Sequence, residues 1–263
     1  MAYLMADQAS ELERLRLQSR VWEPAGERLL AQIGPGAGYH ALEIGCGAMG
    51  WLRLLSRWVG TAGQVTGTDV DERMLAAAAA LRDEERLPNL TLTRDDVFAS
   101  ALSSASFDLV HLRFQLAPIG RAREQLAAAH RLVRPGGWLV LEDPDTGSWR
   151  EHPAAPAVDR LRDLIAEAFV RGGGDFNAGR RLPECLRGLG ITPSIRAECL
   201  ALEPGHPYLQ LPVQFAASLQ PRLLALVEES ELDRLVAAAR AELATPGRWG
   251  TTITLVQAWG RAP

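Results

Sequence analysis

The chain has no lysine: all 28 of its basic residues are arginine. This absence excludes three classes of protein. A P-loop nucleotide-binding protein needs a lysine on the phosphates, and a protein kinase needs a strand lysine. A pyridoxal-phosphate enzyme needs a lysine for its Schiff base. The sequence therefore does not encode any of these functions.

Cysteine is also scarce, and its spacing is informative. Cys46, Cys185 and Cys199 lie far apart and form no C-x-x-C pair. Such spacing favours neither a disulfide framework nor a zinc site. We expect a reduced protein without a metal.

Long apolar runs and blocks of like charge are missing as well. No run approaches the length that spans a membrane, and the net charge is only −4. A nucleic-acid or membrane partner is therefore not expected. The first residues carry acidic side chains (Asp7, Glu11, Glu13) where a secreted protein has an apolar signal core, so the predicted location is the cytoplasm.

Short apolar runs alternate with helical segments in the first half of the chain. Strands are predicted over 39–44, 64–69, 90–94, 107–112 and 138–142, with helices starting near 48 and covering 71–83 and 121–133. Strands separated by single helices indicate a parallel sheet with helices on both faces. The predicted fold class is α/β: a doubly wound, mostly parallel, seven-stranded Rossmann-like sheet.

The remaining segments are expected to complete one domain with a cap. One or two helices over 8–33, punctuated at Pro24, form an N-terminal lid. Further helices are predicted over 157–170, 182–189, 209–228 and 231–243, and strands over 193–202 and 251–259. The expected organisation is a lid (1–35), a cofactor-binding core (36–204), a helical insertion (205–247) and the last strand of the core (248–263).

The most distinctive segment is ALEIGCGAMG, residues 41–50. It follows a strand and opens a helix, and Gly45, Gly47 and Gly50 satisfy G-x-G-x-x-G, which is a weak match by itself. Glu43 is more informative. Its carboxylate can accept a hydrogen bond from a cationic amine or hold the glycine turn, whereas it would repel the pyrophosphate of a dinucleotide. A turn without any ligand is the alternative.

Acidic residues follow the next two predicted strands. Asp69, in VTGTDVDERML, is placed to accept both ribose hydroxyls of an adenosine, with Val70 on the adenine face. Asp71 is the expected N-cap of the next helix. In TRDDVF, Asp96 followed by Val97 resembles the methyltransferase pair in which a carboxylate meets the adenine amino group and the next backbone N–H meets a ring nitrogen. Asp95 competes with Asp96 for that role, and turn formation is the alternative for both.

These segments, with FDLVHLRFQLAP (107–118) and HRLVRPGGWLVLEDPD (130–145), resemble the motifs of class I S-adenosylmethionine-dependent methyltransferases in their order. The similarity is greatest to quinone-biosynthesis-type and bacterial natural-product enzymes. The resemblance implies S-adenosylmethionine as the cofactor. It also implies these cofactor-binding residues: Glu43, Gly45, Cys46, Gly47, Asp69, Val70, Asp96, Val97, Leu112 and Arg113. Ala117 and Pro118 depart from the family, whose members often carry an acid and a histidine there.

The expected reaction is in-line transfer of a methyl group to an oxygen, nitrogen or carbon of a small organic molecule. Candidate general bases are His206 and Asp143, with Glu142 and Asp145 beside Asp143 as alternatives, whereas His111 is expected to be a packed histidine. The predicted substrate pocket consists of aromatic residues: Tyr3, Phe114, Trp149, Tyr208 and Phe215. Two rivals stay open, a nicotinamide-dependent dehydrogenase and a protein that holds S-adenosylmethionine without transferring its methyl group, as a cyclase or binding module. The inserted helices are a candidate face for a homodimer.

Overall fold

A computed structural model describes residues 9–263. The strands are β1 (His40–Ile44), β2 (Gln64–Asp69), β3 (Leu90–Arg94), β4 (Phe107–Arg113), β5 (Val133–Asp145), β6 (Arg150–His152), β7 (Ser194–Glu198), β8 (Ala201–Leu202), β9 (Trp249–Thr251) and β10 (Thr254–Arg261). The helices are α1 (Ala9–Ile33), α2 (Leu52–Val59), α3 (Glu72–Glu85), α4 (Leu116–Ile119), α5 (Ala122–Leu132), α6 (Pro156–Arg171), α7 (Leu182–Arg187), α8 (Leu211–Ser218), α9 (Gln220–Leu223) and α10 (Glu229–Leu243). Single 3₁₀ turns cover Val97–Ala99, Thr146–Ser148, Ala178–Arg181 and Pro207–Gln210.

Seven strands form the main sheet in the order β3-β2-β1-β4-β5-β10-β7. Strands β1 to β5 pair in parallel, whereas β10 runs antiparallel to both β5 and β7. The chain winds outward from β1 to β3 and then returns to pair β4 on the other side of β1. This topology confirms the doubly wound, mostly parallel sheet that the sequence predicts. Ligands of such sheets bind where the strand order reverses, which is here between β1 and β4.

Both faces of the sheet are covered, because crossover helices between parallel strands must pack on it. On one face, Leu29 of α1 and Leu55 of α2 pack with Val65 of β2. On the other, Leu126 of α5 and Leu186 of α7 pack against β4 and β5. The helices on both faces that the sequence predicts are therefore present.

A third core cluster joins α1, α6, α8, α9 and α10 to a small second sheet. The second sheet has the order β6-β9-β8. Trp22 of α1, Leu161 of α6 and Leu219 beside α8 belong to this cluster. The second sheet was not expected: the single strands predicted over 193–202 and 251–259 each divide, giving β7 and β10 to the main sheet and β8 and β9 to the second.

Glycine and proline account for the other differences in the elements. Helix α2 begins at Leu52 and not near residue 48, because the glycines before it adopt positive φ angles. The helix expected over 209–228 is interrupted, since Pro212 and Pro221 lack an N–H and each lie at a helix start. Helix α1, in contrast, continues through Pro24.

Within residues 9–263, no helix combines the length and the apolar character required to cross a bilayer.

Candidate active site

Two open cavities lie at the carboxyl ends of β1, β2 and β4, one on each side of the glycine loop (residues 45–50). The Asp69 cavity, of about 1040 Å³, is lined by Asp69 and Val70 after β2 and by Asp95, Asp96 and Val97 after β3. The aromatic cavity, of about 770 Å³, is walled by five ring side chains from separate parts of the chain. These are Phe114, Phe169, Phe176, Tyr208 and Phe215.

The glycine loop turns sharply because its glycines occupy the left-handed region. Gly45 has φ +64° and Gly50 has φ +46°, conformations that other residues adopt only with strain. A Cβ at Gly50 would lie 2.5 Å from Glu43 Oε1 and 2.9 Å from the Cys46 carbonyl oxygen. The loop therefore requires glycine to close over the end of β1.

Glu43 holds this loop from inside the protein. Its side chain is buried, and its Oε1 accepts a hydrogen bond from the backbone N–H of Trp51 at 3.2 Å. The other oxygen, Oε2, lies 2.5 Å from His111 Nδ1. Of the two roles expected for Glu43, the structure shows the second, support of the turn.

His111 is packed, as expected, but between two carboxylates. Its ring stacks on Trp51 with 3.7 Å between ring centroids, and its Nε2 lies 3.3 Å from Glu142 Oε2. Burial alone would lower the pKa of His111, but the charges of Glu43 and Glu142 outweigh it and raise that pKa above its ordinary value.

Asp69 joins the glycine loop to its own cavity. One carboxylate oxygen accepts the Gly47 N–H at 2.9 Å, and the other accepts the Asp71 N–H at 2.9 Å. Burial raises the pKa of Asp69, and the backbone donors act in the opposite direction. Asp71 is the N-cap of α3, as predicted, since its side chain accepts the Arg73 N–H.

The residues after β3 line the Asp69 cavity and also form turns. Asp96 Oδ1 accepts the Phe98 N–H at 3.0 Å, and Asp95 Oδ1 accepts the Ala101 N–H at 3.1 Å. Both carboxyl groups border the cavity. The competition between them for a contact with adenine therefore stays open.

Arg113, at the end of β4, is a buried cation that lines the aromatic cavity beside the glycine loop. Its Nη2 donates to Ser19 Oγ at 2.9 Å and to the Gly50 carbonyl oxygen at 3.2 Å. Its Nη1 is buried and has no hydrogen-bond partner among the described residues. A buried donor without an acceptor is costly, and this one is available to an anionic group of a ligand.

Gln115 separates the two cavities. Together with Gly45 and Pro118 it lines both of them, and its Nε2 donates to the Gly45 carbonyl oxygen at 3.3 Å. A Cβ at Gly45 would collide with the Gln115 side chain. A ligand that extends along the loop from one cavity to the other has to displace this side chain.

Several predicted site residues lie away from both cavities. The side chain of Leu112, a residue expected to meet the cofactor through its backbone, is in the core on the α5 side, and Trp149 is buried in a T-shaped pair with Phe176 at 5.8 Å between ring centroids. His206 caps the 3₁₀ turn Pro207–Gln210, where its Nδ1 accepts the Tyr208 N–H at 3.1 Å. Tyr3 lies outside the described residues.

Asp143 also points away from the cavities. Its two oxygens accept the N–H groups of Leu116 at 3.3 Å and Ala117 at 2.9 Å, so it caps α4. Burial raises the pKa of Asp143 to about 7. The geometry thus brings neither His206 nor Asp143 to the aromatic cavity.

Sequence reasoning missed the polar residues that α1 contributes to the aromatic cavity. Arg14, Gln18 and Ser19 line it, and Arg14 lies 4.8 Å above the Phe215 ring while Glu11 neutralises its charge. Nothing in a helix of alternating charged and apolar residues indicates which side chains meet a distant strand. Gln115 had a signal, since it follows β4 at the ligand-binding edge of the sheet.

Comparison with known proteins identifies the family. A family described as a methyltransferase domain matches residues 41–137. The N-methyltransferase tcpN of Claviceps purpurea is 30% identical over 191 residues, which are 70% of this chain and 66% of that protein. A demethylmenaquinone methyltransferase of Staphylococcus epidermidis is 32% identical over 123 residues, 47% of this chain and 49% of that protein. The structure of a SAM-dependent methyltransferase from Aquifex aeolicus has a TM-score of 0.56 and 21% identity, covering 73% of this chain and 92% of that one.

The chain belongs to the class I S-adenosylmethionine-dependent methyltransferases. The family, its enzyme class and its cofactor are those that the sequence predicts. The nicotinamide-dependent dehydrogenases, which share the glycine pattern, are not the family that matches. The chain spans 66% of the length of tcpN and about half, 49%, of the demethylmenaquinone methyltransferase.

The residues of the site fit the cofactor of this family. The buried Arg113 Nη1 lacks an acceptor, as a donor reserved for a carboxylate would. Among the described residues, a Cβ at Gly45 would collide with the Gln115 side chain, whereas a Cβ at Gly47 would meet only Leu15, at 3.8 Å. Asp69 provides carboxylate oxygens at the edge of the adjoining cavity.

Proposed function

We propose that this chain transfers the methyl group of S-adenosylmethionine to a small organic molecule held in the aromatic cavity. The observation that carries the proposal is the position of the glycine loop between two cavities of different character. One cavity is bordered by carboxyl groups suited to a ribose and an adenine, and the other by aromatic rings. A ligand with a nucleoside at one end and a reactive sulfonium near the other matches this division.

The proposed contacts follow from the described side chains. Asp69 accepts hydrogen bonds from the ribose hydroxyls, and Asp96 or Asp95 accepts one from the adenine amino group. The backbone of Gly45, Cys46 and Gly47 borders the part of the ligand between its nucleoside and its sulfur. Arg113 binds the carboxylate at the amino-acid end of the ligand. When bound, S-adenosylmethionine supplies a methyl group already activated by its sulfonium, so the protein has mainly to position the acceptor.

The methyl acceptor has to be nucleophilic without a general base from the protein. Among the described residues that line the aromatic cavity, Glu43 is engaged by Trp51 and His111, and burial raises the pKa of both Cys46 and Tyr208. None of these groups is a free base at neutral pH. An amine or an acidic phenol therefore suits the cavity better than an aliphatic alcohol, which needs a general base.

The walls of the cavity favour a flat, apolar body for the acceptor. Phe169 and Phe176 stack with 4.5 Å between ring centroids, and Phe215 meets both edge-on at 6.2 Å and 5.4 Å. Rings of this arrangement bind aromatic surfaces well. The names of two relatives, an N-methyltransferase and a demethylmenaquinone methyltransferase, support an amine or a quinone-like acceptor.

Transfer of labelled methyl groups tests the proposal. The chain is incubated with methyl-labelled S-adenosylmethionine and, separately, with aromatic amines, hydroquinones and aliphatic alcohols. We expect label in products of the first two groups and little in the third. Stabilisation of the chain by S-adenosylhomocysteine without any transfer would favour a non-catalytic role for the cofactor. Stabilisation by NAD alone would contradict the proposal.

A further inference from the structure

A buried row of four charged side chains runs beneath the glycine loop. Glu43 on β1 and His111 on β4 are cross-strand partners, as are Arg113 on β4 and Glu142 on β5. His111 and Arg113 are two residues apart, so both project from the same face of β4. All four are at most 7% exposed. In space the order is Glu43, His111, Glu142 and Arg113.

The two contacts of the His111 ring require that both of its nitrogens carry a proton. His111 Nδ1 lies 2.5 Å from Glu43 Oε2, and His111 Nε2 lies 3.3 Å from Glu142 Oε2. Ionised carboxylates only accept hydrogen bonds, and a neutral imidazole has a single N–H to donate. Both contacts are favourable together only when the ring is an imidazolium. The row then alternates in sign and has no net charge.

The two ends of the row hold parts of the proposed cofactor site. At one end, Glu43 Oε1 accepts the Trp51 N–H at 3.2 Å, which fixes the exit of the glycine loop. At the other, Glu142 Oε2 lies 3.9 Å from Arg113 Nε, and Arg113 donates to the Gly50 carbonyl oxygen. Gln257 of β10 fixes the second oxygen of Glu142 at 2.6 Å. The glycine loop and Arg113 are thus both connected to the imidazole ring of His111.

We propose that the His111 imidazolium is the positioning residue of the cofactor site, holding Glu43 against the glycine loop and Glu142 against Arg113 so that Arg113 meets the amino-acid end of the cofactor. The inference rests on the proposed function, because it concerns the same cofactor. His111 is not a cavity-lining residue and acts only through its neighbours. Loss of its charge leaves a net negative row, which attracts the Arg113 guanidinium away from the ligand carboxylate and repels that carboxylate.

The proposal has a definite pH dependence. The two carboxylates raise the pKa of His111 in the folded chain. The favourable charge pairing is therefore complete below the ordinary histidine pKa of about 6.5 and is lost as the pH rises through the higher folded value. Affinity for the cofactor should fall over the same interval.

Other groups near the row have to be separated from His111. Trp51 is neutral, and burial keeps the pKa of the Cys46 thiol beside Glu43 well above its usual value. Asp143 next to Glu142 titrates near pH 7, and the amino group of the ligand titrates at alkaline pH. These contributions are common to the wild-type chain and to His111→Gln, so that comparison isolates His111. Glu142→Gln also removes a charge that raises the pKa of Asp143.

The test measures binding of S-adenosylhomocysteine by calorimetry from pH 6 to pH 9, together with thermal unfolding of the unliganded chain. His111→Gln should raise the Kd about tenfold at pH 7, the equivalent of one pKa unit of differential interaction. The affinity of this variant should also no longer show the decrease that the wild type shows as the pH rises through the pKa of His111. Glu142→Gln lets a neutral His111 donate to Glu43 and accept from the new amide, so its pH profile should be flattened like that of His111→Gln.

The double variant His111→Gln with Glu142→Gln distinguishes positioning from packing. It restores a row without net charge, so its Kd should be lower than that of His111→Gln alone, and the two changes should be strongly non-additive. A packing role predicts additive losses, which would overturn the proposal. His40→Gln is the matched control, because His40 lies on the other end of β1 and bonds Thr66 Oγ1 at 2.9 Å. It should retain the wild-type profile.

Two failures have different meanings in this experiment. If the wild type binds S-adenosylhomocysteine and His111→Gln binds it equally well at every pH, the positioning role is wrong and the proposed function stands. If the folded wild type does not bind the ligand at all, the proposed function is wrong and the inference falls with it.

Discussion

At the scale of single residues, Asp69 connects the glycine loop to the cavity proposed for the nucleoside. Its carboxylate accepts the Gly47 N–H and borders the cavity proposed for the nucleoside. Asp69→Asn keeps the size of the side chain and removes the charge that the ribose hydroxyls need. Because hydrogen bonds to charged groups contribute about 1.5–3 kcal/mol, the Kd for S-adenosylhomocysteine should rise at least about tenfold by calorimetry.

Asp71→Asn is the matched control for that change. Asp71 lies two residues further on and caps α3, away from both cavities. Asparagine is an equally good N-cap, so neither the affinity nor the thermal stability should change appreciably. An Asp69→Asn variant that binds as tightly as Asp71→Asn would remove Asp69 from the site.

The buried Asp143 gives the chain a second pH dependence, this time of stability. Its folded pKa of about 7 lies above the ordinary value of 3.8. The carboxyl group is therefore most favourable to folding below pH 3.8, and its contribution is lost as the pH rises to 7. Asp143→Asn should become more stable relative to the wild type between pH 5 and pH 7, by at most about 1.4 kcal/mol per pH unit in denaturant unfolding.

Asp145→Asn provides the comparison for Asp143. Pairing with Arg180 lowers the pKa of Asp145, so this carboxyl group stays ionised in both states above pH 5. The difference between Asp145→Asn and wild type should therefore be constant from pH 5 to pH 8. A constant difference for Asp143→Asn as well would contradict the raised pKa.

At the scale of elements, the glycine loop combines strain with function. Gly45→Ala places a side chain at φ +64° and against Gln115, where the two cavities meet. Gly38→Ala, the control, has φ +82° and nothing within 4 Å of its Cβ. Both should lose about 1–2 kcal/mol of stability through strain, but only Gly45→Ala should weaken binding of S-adenosylhomocysteine. Equal affinities in the two variants would show that the loop does not contact the ligand.

The elements that sequence reasoning predicted well are those set by local patterns. β2 and β3 have the expected bounds, and α3 follows its capping Asp71. The failures have non-local causes. Whether residues 201–202 join the main sheet depends on β9, which lies some fifty residues away, and the continuity of α1 through Pro24 depends on packing around it.

The candidate site shows the same limit. Glu43, Gly45, Asp69 and Arg113 were accessible to prediction because parallel strands deliver their carboxyl ends to one edge. The roles of Glu43 and His111 were not fully accessible, since they depend on which residues face each other across β1, β4 and β5. No spacing along the chain specifies the register that brings Glu142 beside His111.

At the scale of the whole molecule, the reversal of strand order produces the two cavities. The strands on one side of β1 contribute the acids of the Asp69 cavity. Strand β4 on the other side contributes Arg113 and Phe114, and α1, α6 and α8 supply much of the remaining wall of the aromatic cavity. The central claim is that one ligand, S-adenosylmethionine, occupies both sides of this division.

A crystal structure of the chain with S-adenosylhomocysteine tests that claim most directly. The account predicts the ribose at Asp69, the ligand carboxylate at Arg113 and the Gln115 side chain displaced from Gly45. Electron density for the ligand confined to one cavity, with Gln115 still against Gly45, would contradict it.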